Sequence, residues 1–328
     1  MRWIISGIVL LGLLLIVIPA IMVRGWDFRS SPSRPAKTGD GVMITVYLHD
    51  QGKSMDMNLE EYVKGVVAAE MPAEFDLEAL KAQAVAGRTY AARHMRMYGG
   101  AGSPQHPEAD ISTDPREGQA WLGEQALKKK WGTLNYHRYW SKISRAVEET
   151  GGMVLTYKGE MINALFHSTS GGQTEDPGEI WGQQIPYLKS ISCPWDQKSP
   201  RYKGQREFSI GELADLLGPE AGVVTAAQNG SNELVNVVEK TASGRVKKVR
   251  IGSKIFEGTA VREKLGLYST NFTWRLDGDK IIFATTGYGH GVGMSQYGAN
   301  GMAKEGKGYK EILLYFYQGT ELANVYGS

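Results

Sequence analysis

Residues 59–95, LEEYVKGVVAAEMPAEFDLEALKAQAVAGRTYAARHM, decide the fold of this 328-residue chain. Apolar residues recur three and four positions apart in both halves, which predicts two amphipathic helices over about 58–70 and 77–98. Pro72 disfavours helical torsions in the residue before it, so the first helix is expected to end just after Glu70.

The first helix carries a carboxylate where its pattern predicts a core residue. Leu59, Val63 and Val66 form the apolar stripe, and Glu70 occupies the next helical step. A carboxylate at the end of a half-buried helix is partly removed from water, which raises its pKa toward the range useful to a general acid. Position alone leaves a second interpretation open, in which Glu70 turns out to solvent at the helix end.

The second helix also places a charge on its apolar stripe, at Arg88. A guanidinium on a buried face needs a carboxylate or backbone carbonyls as partners. Glu70 is one candidate, but a direct ion pair would lower its pKa and work against its use as an acid. We therefore expect Arg88 to fix nearby backbone or substrate.

Two later segments combine glycines with polar side chains. Residues 164–173, ALFHSTSGGQ, include Ser170, and residues 287–301 read GYGHGVGMSQYGANG. Glycines let the backbone approach a sugar closely, and Ser, Tyr, His and Gln supply the donors and stacking faces that carbohydrate binding needs. A single such residue is more often structural, so it is their clustering that favours a site. The candidates in the second segment are Tyr288, His290, Gln296 and Tyr297.

The chain as a whole predicts an α+β fold: a mixed helical and β catalytic core with an inserted smaller α/β subdomain, preceded by one transmembrane helix. Residues 3–23 hold no charged side chain and are long enough to span a bilayer. A cleaved signal peptide is the alternative, although its apolar region is usually shorter. The predicted boundaries are 1–24 for the anchor, 25–41 for a linker, 42–206 for the first part of the core, 207–280 for the subdomain and 281–328 for the rest of the core.

Composition excludes some classes of site. The only cysteine, Cys193, cannot form an internal disulfide or a cysteine-rich zinc site. A net charge of +2 gives no indication of nucleic-acid binding.

Three segments resemble the stage II sporulation protein D (SpoIID) family, within the wider SpoIID/LytB group. They are VVAAEMPAEFDLEALKAQAVAGRTYA, FHSTSGGQTE and GYGHGVGMSQYGANGMA, and they occur in order within about residues 40–320. The resemblance implies a lytic transglycosylase of endospore-forming bacteria that cuts peptidoglycan glycan strands during engulfment of the forespore. It places the catalytic glutamate of the AAEMP motif on Glu70 and a functionally important position on Arg88. It also implies that Ser170 and the four candidates of the second segment lie around the groove.

The resemblance implies partners and a location as well. The strands would first lose their stem peptides to an amidase, SpoIIP, and the membrane protein SpoIIM would act with both. The catalytic region would lie outside the cytoplasm, held to the cell membrane by the N-terminal helix at the sporulation septum or engulfing membrane.

The sequence departs from the family at a zinc site that some members have. His106 stands at the first ligand position, but the other three positions hold Ser112, Glu117 and Gly118. One ligand does not make a zinc site. We predict no metal and no cofactor.

Four functions compete at this point. A lytic transglycosylase needs a single acid and base, which Glu70 supplies. A hydrolytic glycosidase would need a second carboxylate such as Asp176. An amidase or esterase would pair Ser168 or Ser170 with His290, although the GxSxG elbow is absent. A non-catalytic scaffold would bind peptidoglycan and organise a partner amidase.

Overall fold

A long buried helix lies at the centre of the computed structural model, which describes residues 41–229 and 234–327. Helix α1 runs over Leu59–Glu70 and helix α2 over Leu77–His94. The Asn58 side chain caps α1 by accepting from the N–H of Glu60 at 2.9 Å, and Asp76 caps α2. Both predicted helices are confirmed.

Helix α2 ends earlier than the predicted residue 98. Met95 adopts extended torsions, and Arg96–Tyr98 form a separate 3₁₀ turn. The N–H of Gly102 donates to the carbonyl of His94, so the glycine-rich loop folds back and closes the end of the helix.

Helix α2 is covered on several sides by other elements. Helices α3 (Glu124–Trp131) and α4 (Thr133–Glu148) follow in the chain, and α4 packs on both α1 and α2. The C-terminal helices α9 (Gln296–Lys304) and α10 (Tyr309–Phe316) also pack on α2. Helices from the early and the late parts of the described chain therefore pack around the same helix, α2.

Two small sheets flank these helices. Strand β1 (Met43–Leu48) pairs with β2 (Lys53–Asn58) and β3 (Ile111–Ser112). Strand β4 (Met153–Tyr157) lies between β5 (Glu160–Met161) and β16 (Glu321–Asn324). A hairpin turn at Lys158-Gly159 joins β4 to β5: both residues have positive φ, 52° and 84°, as a tight two-residue turn requires.

Very short strands bring the polar segments together. Strand β6 (Phe166–His167) runs parallel to β15 (Met294–Ser295), so the two segments singled out in the sequence lie side by side. Strand β7 (Gly172–Gln173) pairs with β8 (Ser192–Cys193), and the short helix α5 (Pro177–Trp181) lies between them in sequence.

A second hydrophobic core lies in the later part of the chain. One sheet has the order β13-β14-β9 and another the order β10-β11-β12. The strands are β9 (Lys203–Ser209), β10 (Val235–Lys240), β11 (Val246–Ile251), β12 (Lys254–Glu257), β13 (Phe272–Asp277) and β14 (Lys280–Thr286). The helices are α6 (Ile210–Leu217), α7 (Val223–Asn229) and α8 (Gly258–Lys264). Residues 207–280 supply most of this core, and their division from the rest as a subdomain stays a prediction.

The mixture of helices and strands confirms the α+β class. The predicted anchor at 1–24, and the linker up to residue 40, lie outside the described residues. Within residues 41–229 and 234–327, no helix has the length and apolar character needed to cross a membrane.

Candidate active site

A cleft of about 600 Å³ opens at the end of α1. Glu70 lines it together with residues from the loop before α9 and from the start of α9 itself. Of the candidates predicted from the sequence, five line this cleft: Glu70, Tyr288, His290, Gln296 and Tyr297. Arg88 and Ser170 do not.

Glu70 is half-buried, and its carboxylate forms no ion pair with any described residue within 4.0 Å. The N–H of Ala120 donates to its Oε1 at 3.0 Å, and Gln296 donates a second hydrogen bond. Burial raises the pKa of the Glu70 carboxyl above its ordinary value; these two hydrogen bonds and the nearby Lys130 charge oppose the rise without cancelling it. The carboxyl therefore keeps its proton to a higher pH than an exposed glutamate does, as a general acid requires.

Hydrogen bonds to the end of α1 hold Lys130 near Glu70. Its ammonium donates to the carbonyls of Ala68 at 3.0 Å and Ala69 at 3.4 Å, which are among the last carbonyls of the helix. Its charge acts on Glu70 without a direct ion pair. Sequence patterns did not single out Lys130, because it stands in the basic run Lys128–Lys130 and such runs are typical of a solvated face.

The loop that carries Ala120 is tied down by its own hydrogen bonds. The Asp114 carbonyl accepts from the N–H of Gly118 at 2.8 Å, and the N–H of Gln119 donates to the Ser112 carbonyl at 3.2 Å. The Tyr62 hydroxyl, on α1, donates to the side-chain Oε1 of Gln119 at 3.3 Å. These contacts hold the Ala120 N–H where it meets Glu70.

The four positions considered for zinc in the sequence lie within or just before this loop: His106, Ser112, Glu117 and Gly118. His106 lies with its Nε2 3.7 Å from Oε2 of Glu117. Ser112 and Gly118 offer no side chain that suits zinc. Among the described residues there is no group of three or more His, Cys, Asp and Glu side chains that could hold a metal ion. The residues present therefore do not fit a zinc ion, and the absence of metal stays a prediction.

His290 is held by the backbone through both ring nitrogens. The N–H of Val292 donates to Nδ1 at 3.1 Å, so the proton of the neutral ring lies on Nε2, which donates to the carbonyl of Phe166 at 3.1 Å. Burial and the charge of Arg262 lower the pKa of His290 to about 4. A neutral imidazole with both nitrogens engaged shapes the wall of the cleft and is poorly suited to proton transfer.

His167, beside it, has a free nitrogen. Its Nδ1 faces the carbonyl of Val292 at 3.1 Å and so carries the proton, whereas its Nε2 is buried without a hydrogen-bond partner among the described residues. Gly289 has φ of 110°, and a Cβ there would lie 3.0 Å from the Cβ of His167. A glycine is therefore needed for the loop to approach this histidine.

Aromatic rings form much of the remaining wall. Tyr288 carries the guanidinium of Arg201 over its ring at 4.5 Å, and Tyr297 packs edge-on against Phe75 with ring centroids 4.9 Å apart. Trp181 is half exposed and lines a neighbouring cavity of about 360 Å³ that also contains Glu70. Such faces suit the apolar sides of sugar rings.

Gln296, the first residue of α9, connects this helix to the Glu70 carboxyl. Ser295 caps α9 by accepting from the N–H of Gly298 at 3.1 Å, which sets the direction of the first turn. The Gln296 side chain, only 5% exposed, reaches both Glu70 and the buried Gln83 of α2. Gln296 thus orients the Glu70 carboxyl from the side of α2.

Ser170 lies behind the cleft and is almost fully buried. Its N–H and hydroxyl both donate to the carboxylate of Asp196, which also accepts from the N–H of Gly171 at 3.0 Å and from the Ser295 hydroxyl at 2.6 Å. Asp196 therefore joins the two polar segments, and Ser170 supports the site through it.

Arg88 is fully buried on the far side of α2 and bonds to Glu60, not to Glu70. Its Nε and Nη2 donate to the two carboxylate oxygens of Glu60 at 2.9 and 2.6 Å. The guanidinium also donates to the carbonyls of Met153 at 3.1 Å and Val147 at 3.3 Å. As expected, Arg88 fixes nearby backbone; it joins α1, α4 and β4.

The geometry weighs against the alternative catalytic groups. Asp176 caps α5 by accepting from the N–H of Gly178 at 2.8 Å and does not line the cleft. Ser168 and Ser170 each bond to other side chains, and no described serine hydroxyl donates to His290. Two other carboxylates, Glu74 and Glu117, do line the cavities around Glu70.

Comparison with known proteins shows the family of the chain. A family model described as "Stage II sporulation protein" matches residues 47–157. Stage II sporulation protein D of Bacillus subtilis (strain 168) is 44% identical over 282 residues, covering 86% of this chain and 79% of the relative. The protein of the same name from Bacillus amyloliquefaciens is 40% identical over 89% of this chain and 81% of its own. The "Amidase enhancer" of Bacillus subtilis (strain 168) is 30% identical over 80% of this chain and 40% of its own. The chain belongs to the stage II sporulation protein D family.

Proposed function

We propose that this sporulation protein is a lytic transglycosylase that cleaves the bond between MurNAc and GlcNAc in peptide-stripped peptidoglycan strands. The observation that carries the proposal is the state of Glu70: a half-buried carboxyl with a raised pKa and no ion-pair partner among the described residues, in a cleft lined by tyrosine, histidine and glutamine. The combination is that of a general acid beside a sugar-binding wall.

Both half-reactions use the same carboxyl. Protonated Glu70 gives its proton to the glycosidic oxygen as the bond from MurNAc C1 to that oxygen breaks. The resulting carboxylate takes the proton from the C6 hydroxyl of the same MurNAc, and O6 closes onto C1 to give a 1,6-anhydro ring. The proton lost in the first step returns in the second, so neither water nor a cofactor is consumed.

The two neighbouring carboxylates make the hydrolytic alternative testable. Glu74 is exposed, and a hydrogen bond from Tyr139 holds its pKa below the ordinary value. Glu117 lies on the other side, near His106. A hydrolase would use one of them as nucleophile or base together with Glu70.

The test compares cleavage of peptide-free glycan strands by four variants. Glu70→Gln should lower the rate by about 100-fold or more. Glu61→Gln, on the exposed face of the same helix, is the matched control and should cleave normally. Full activity in Glu70→Gln would contradict the proposal. A comparable loss in Glu74→Gln or Glu117→Gln would favour a two-carboxylate hydrolase.

A non-catalytic scaffold that organises a partner amidase is the second candidate, and the name of the "Amidase enhancer" relative favours it. This function needs glycan binding but no chemistry at Glu70. Glycan binding with no cleavage of peptide-free strands, together with stimulation of an amidase by Glu70→Gln as strong as by the unchanged protein, would support it.

The setting of the enzyme is part of the proposal. We propose that residues 1–24 anchor it in the cell membrane with the catalytic region extracytoplasmic, at the sporulation septum and engulfing membrane. The amidase SpoIIP would supply its substrate, and SpoIIM would be its membrane partner. The apolar N-terminal segment and the family membership support this arrangement.

A further inference from the structure

Arg262 is a half-buried cation without a counter-ion. It lies on α8, and no carboxylate of the described residues lies within 4.0 Å of its guanidinium. Its Nε is buried and has no hydrogen-bond acceptor there. Removing a guanidinium from water without a partner costs free energy, so the side chain is poised for an anion.

The position of Arg262 connects it to the candidate active site. It lines a cavity of about 660 Å³ together with Tyr288 and His290, and these two residues also line the cleft that contains Glu70. The charge of Arg262 is close enough to lower the pKa of His290. A polymer lying through the cleft would thus pass Arg262 as it leaves Glu70.

A second unpaired guanidinium packs against Tyr288, in the cleft that contains Glu70. Arg201 stacks over the Tyr288 ring at 4.5 Å, is exposed, and its guanidinium forms no hydrogen bond or ion pair with the described residues. Arg206, exposed and also without a carboxylate partner in the described structure, lines the same cavity as Arg262. By contrast, Arg116 in this region is neutralised by Asp114 at 2.5 Å.

The chemistry of the substrate supplies one anion. The hydroxyls, acetamides and ether oxygens of a GlcNAc–MurNAc strand are neutral. The lactyl group on MurNAc is an amide while the stem peptide is attached and becomes an ionised carboxylate when the peptide is removed. A guanidinium fork matches a carboxylate with two parallel hydrogen bonds.

We propose that Arg262 and Arg201, which line the two cavities that share Tyr288, form a carboxylate-binding subsite that recognises the free lactyl group of peptide-stripped MurNAc. The subsite rests on the proposed function, since it assigns to that cleft the feature that distinguishes stripped strands from intact ones. Arg262 and Arg201 are specificity-determining residues and take no part in the proton transfers at Glu70.

The test measures equilibrium binding in a Glu70→Gln background, so that it does not depend on cleavage. The ligands are peptide-free strands, the same strands with their lactyl carboxylates converted to methylamides, and strands that keep their stem peptides. The parent should bind the free carboxylate form about tenfold more tightly than either of the other two. Arg262→Gln and Arg201→Gln should each bring this ratio toward one, and Arg262→Lys should give an intermediate ratio, because it keeps the charge but loses the fork.

Arg250→Gln is the matched control: it removes an exposed arginine of β11 that lines none of the three cavities and should leave the ratio unchanged. Arg201 is exposed, so Arg201→Gln tests the subsite even if Arg262→Gln folds poorly. Equal binding of all three ligands by the parent, or an unchanged ratio in Arg201→Gln and a folded Arg262→Gln, would overturn the subsite. Failure of the unchanged protein to cleave any strand would instead overturn the proposed function.

Discussion

The backbone N–H of Ala120 donates to Oε1 of Glu70 at 3.0 Å, across 50 residues of sequence. This neutral donor and the Gln296 side chain orient the carboxyl while leaving it able to hold a proton. Glu60, at the other end of the same helix, shows the contrast. Burial alone would raise its pKa, but the guanidinium of Arg88 holds it below the ordinary value, so Glu60 stays ionised.

The first prediction concerns the pH dependence of cleavage. Glu70 must be protonated to act as an acid, so the rate should fall as pH rises through its pKa. The charge of Lys130 lowers that pKa, so Lys130→Met should move the falling limb to higher pH. Lys129→Met, an exposed neighbour in the same basic run, should leave the limb in place. Rates measured across pH 4 to 9 test this; a shift to lower pH in Lys130→Met would contradict it.

The second prediction concerns stability. Because the pKa of Glu70 is raised on folding, its ionisation opposes folding above that pKa and has no effect below the unfolded value of about 4.3. Glu70→Gln should therefore be more stable than the unchanged protein at pH 8, with the advantage shrinking toward pH 4. Urea unfolding at several pH values measures the difference, and an advantage that grows as pH falls would be inconsistent with a buried acid.

The third prediction concerns Arg88. Arg88→Ala removes the buried guanidinium that pairs with Glu60 and donates to two backbone carbonyls, so it should lower the free energy of unfolding by about 3–5 kcal/mol. The exposed pair Lys128–Glu124 is the comparison, and Lys128→Ala should cost less than about 1 kcal/mol. Chemical denaturation tests both. A folded, fully stable Arg88→Ala with impaired glycan binding would instead show that Arg88 contacts substrate.

The fourth prediction concerns Asp196. Its carboxylate joins the segment of Ser170 to the cap of α9, whose next residue is Gln296. Asp196→Asn should loosen both and lower cleavage by about tenfold or more. Because the Gln296 hydrogen bond holds the pKa of Glu70 down, loosening it should move the falling limb of the pH profile, if at all, toward higher pH. Rate and pH profile together check this, and a limb that moves to lower pH would contradict it.

Much of the fold followed from local patterns. The helices around Glu70 and Arg88 were predictable because their apolar periodicity and caps are local. The strands of the second core depend on pairing between distant parts of the chain. Strand β9 (KGQREFS) has no apolar alternation, and it forms because it pairs along seven residues with β14, which lies about 75 positions later.

In the candidate site, too, some residues were predictable from local patterns and their partners were not. Glu70 was predictable as a carboxylate on an apolar stripe, and Arg88 as a cation on another. Their partners were not, since Ala120 and Glu60 are selected by tertiary contacts that no spacing reveals. Ser170 fell in a polar cluster, but only the structure shows its hydroxyl directed to Asp196 and away from the cleft.

The mass of the terminal sugar made by the unchanged protein tests the central claim most directly. Peptide-free strands are digested and the new MurNAc ends are weighed by mass spectrometry. Intramolecular closure predicts 1,6-anhydroMurNAc ends, and no such ends with Glu70→Gln. Reducing MurNAc ends, heavier by one water, would show hydrolysis and contradict the single-carboxyl mechanism.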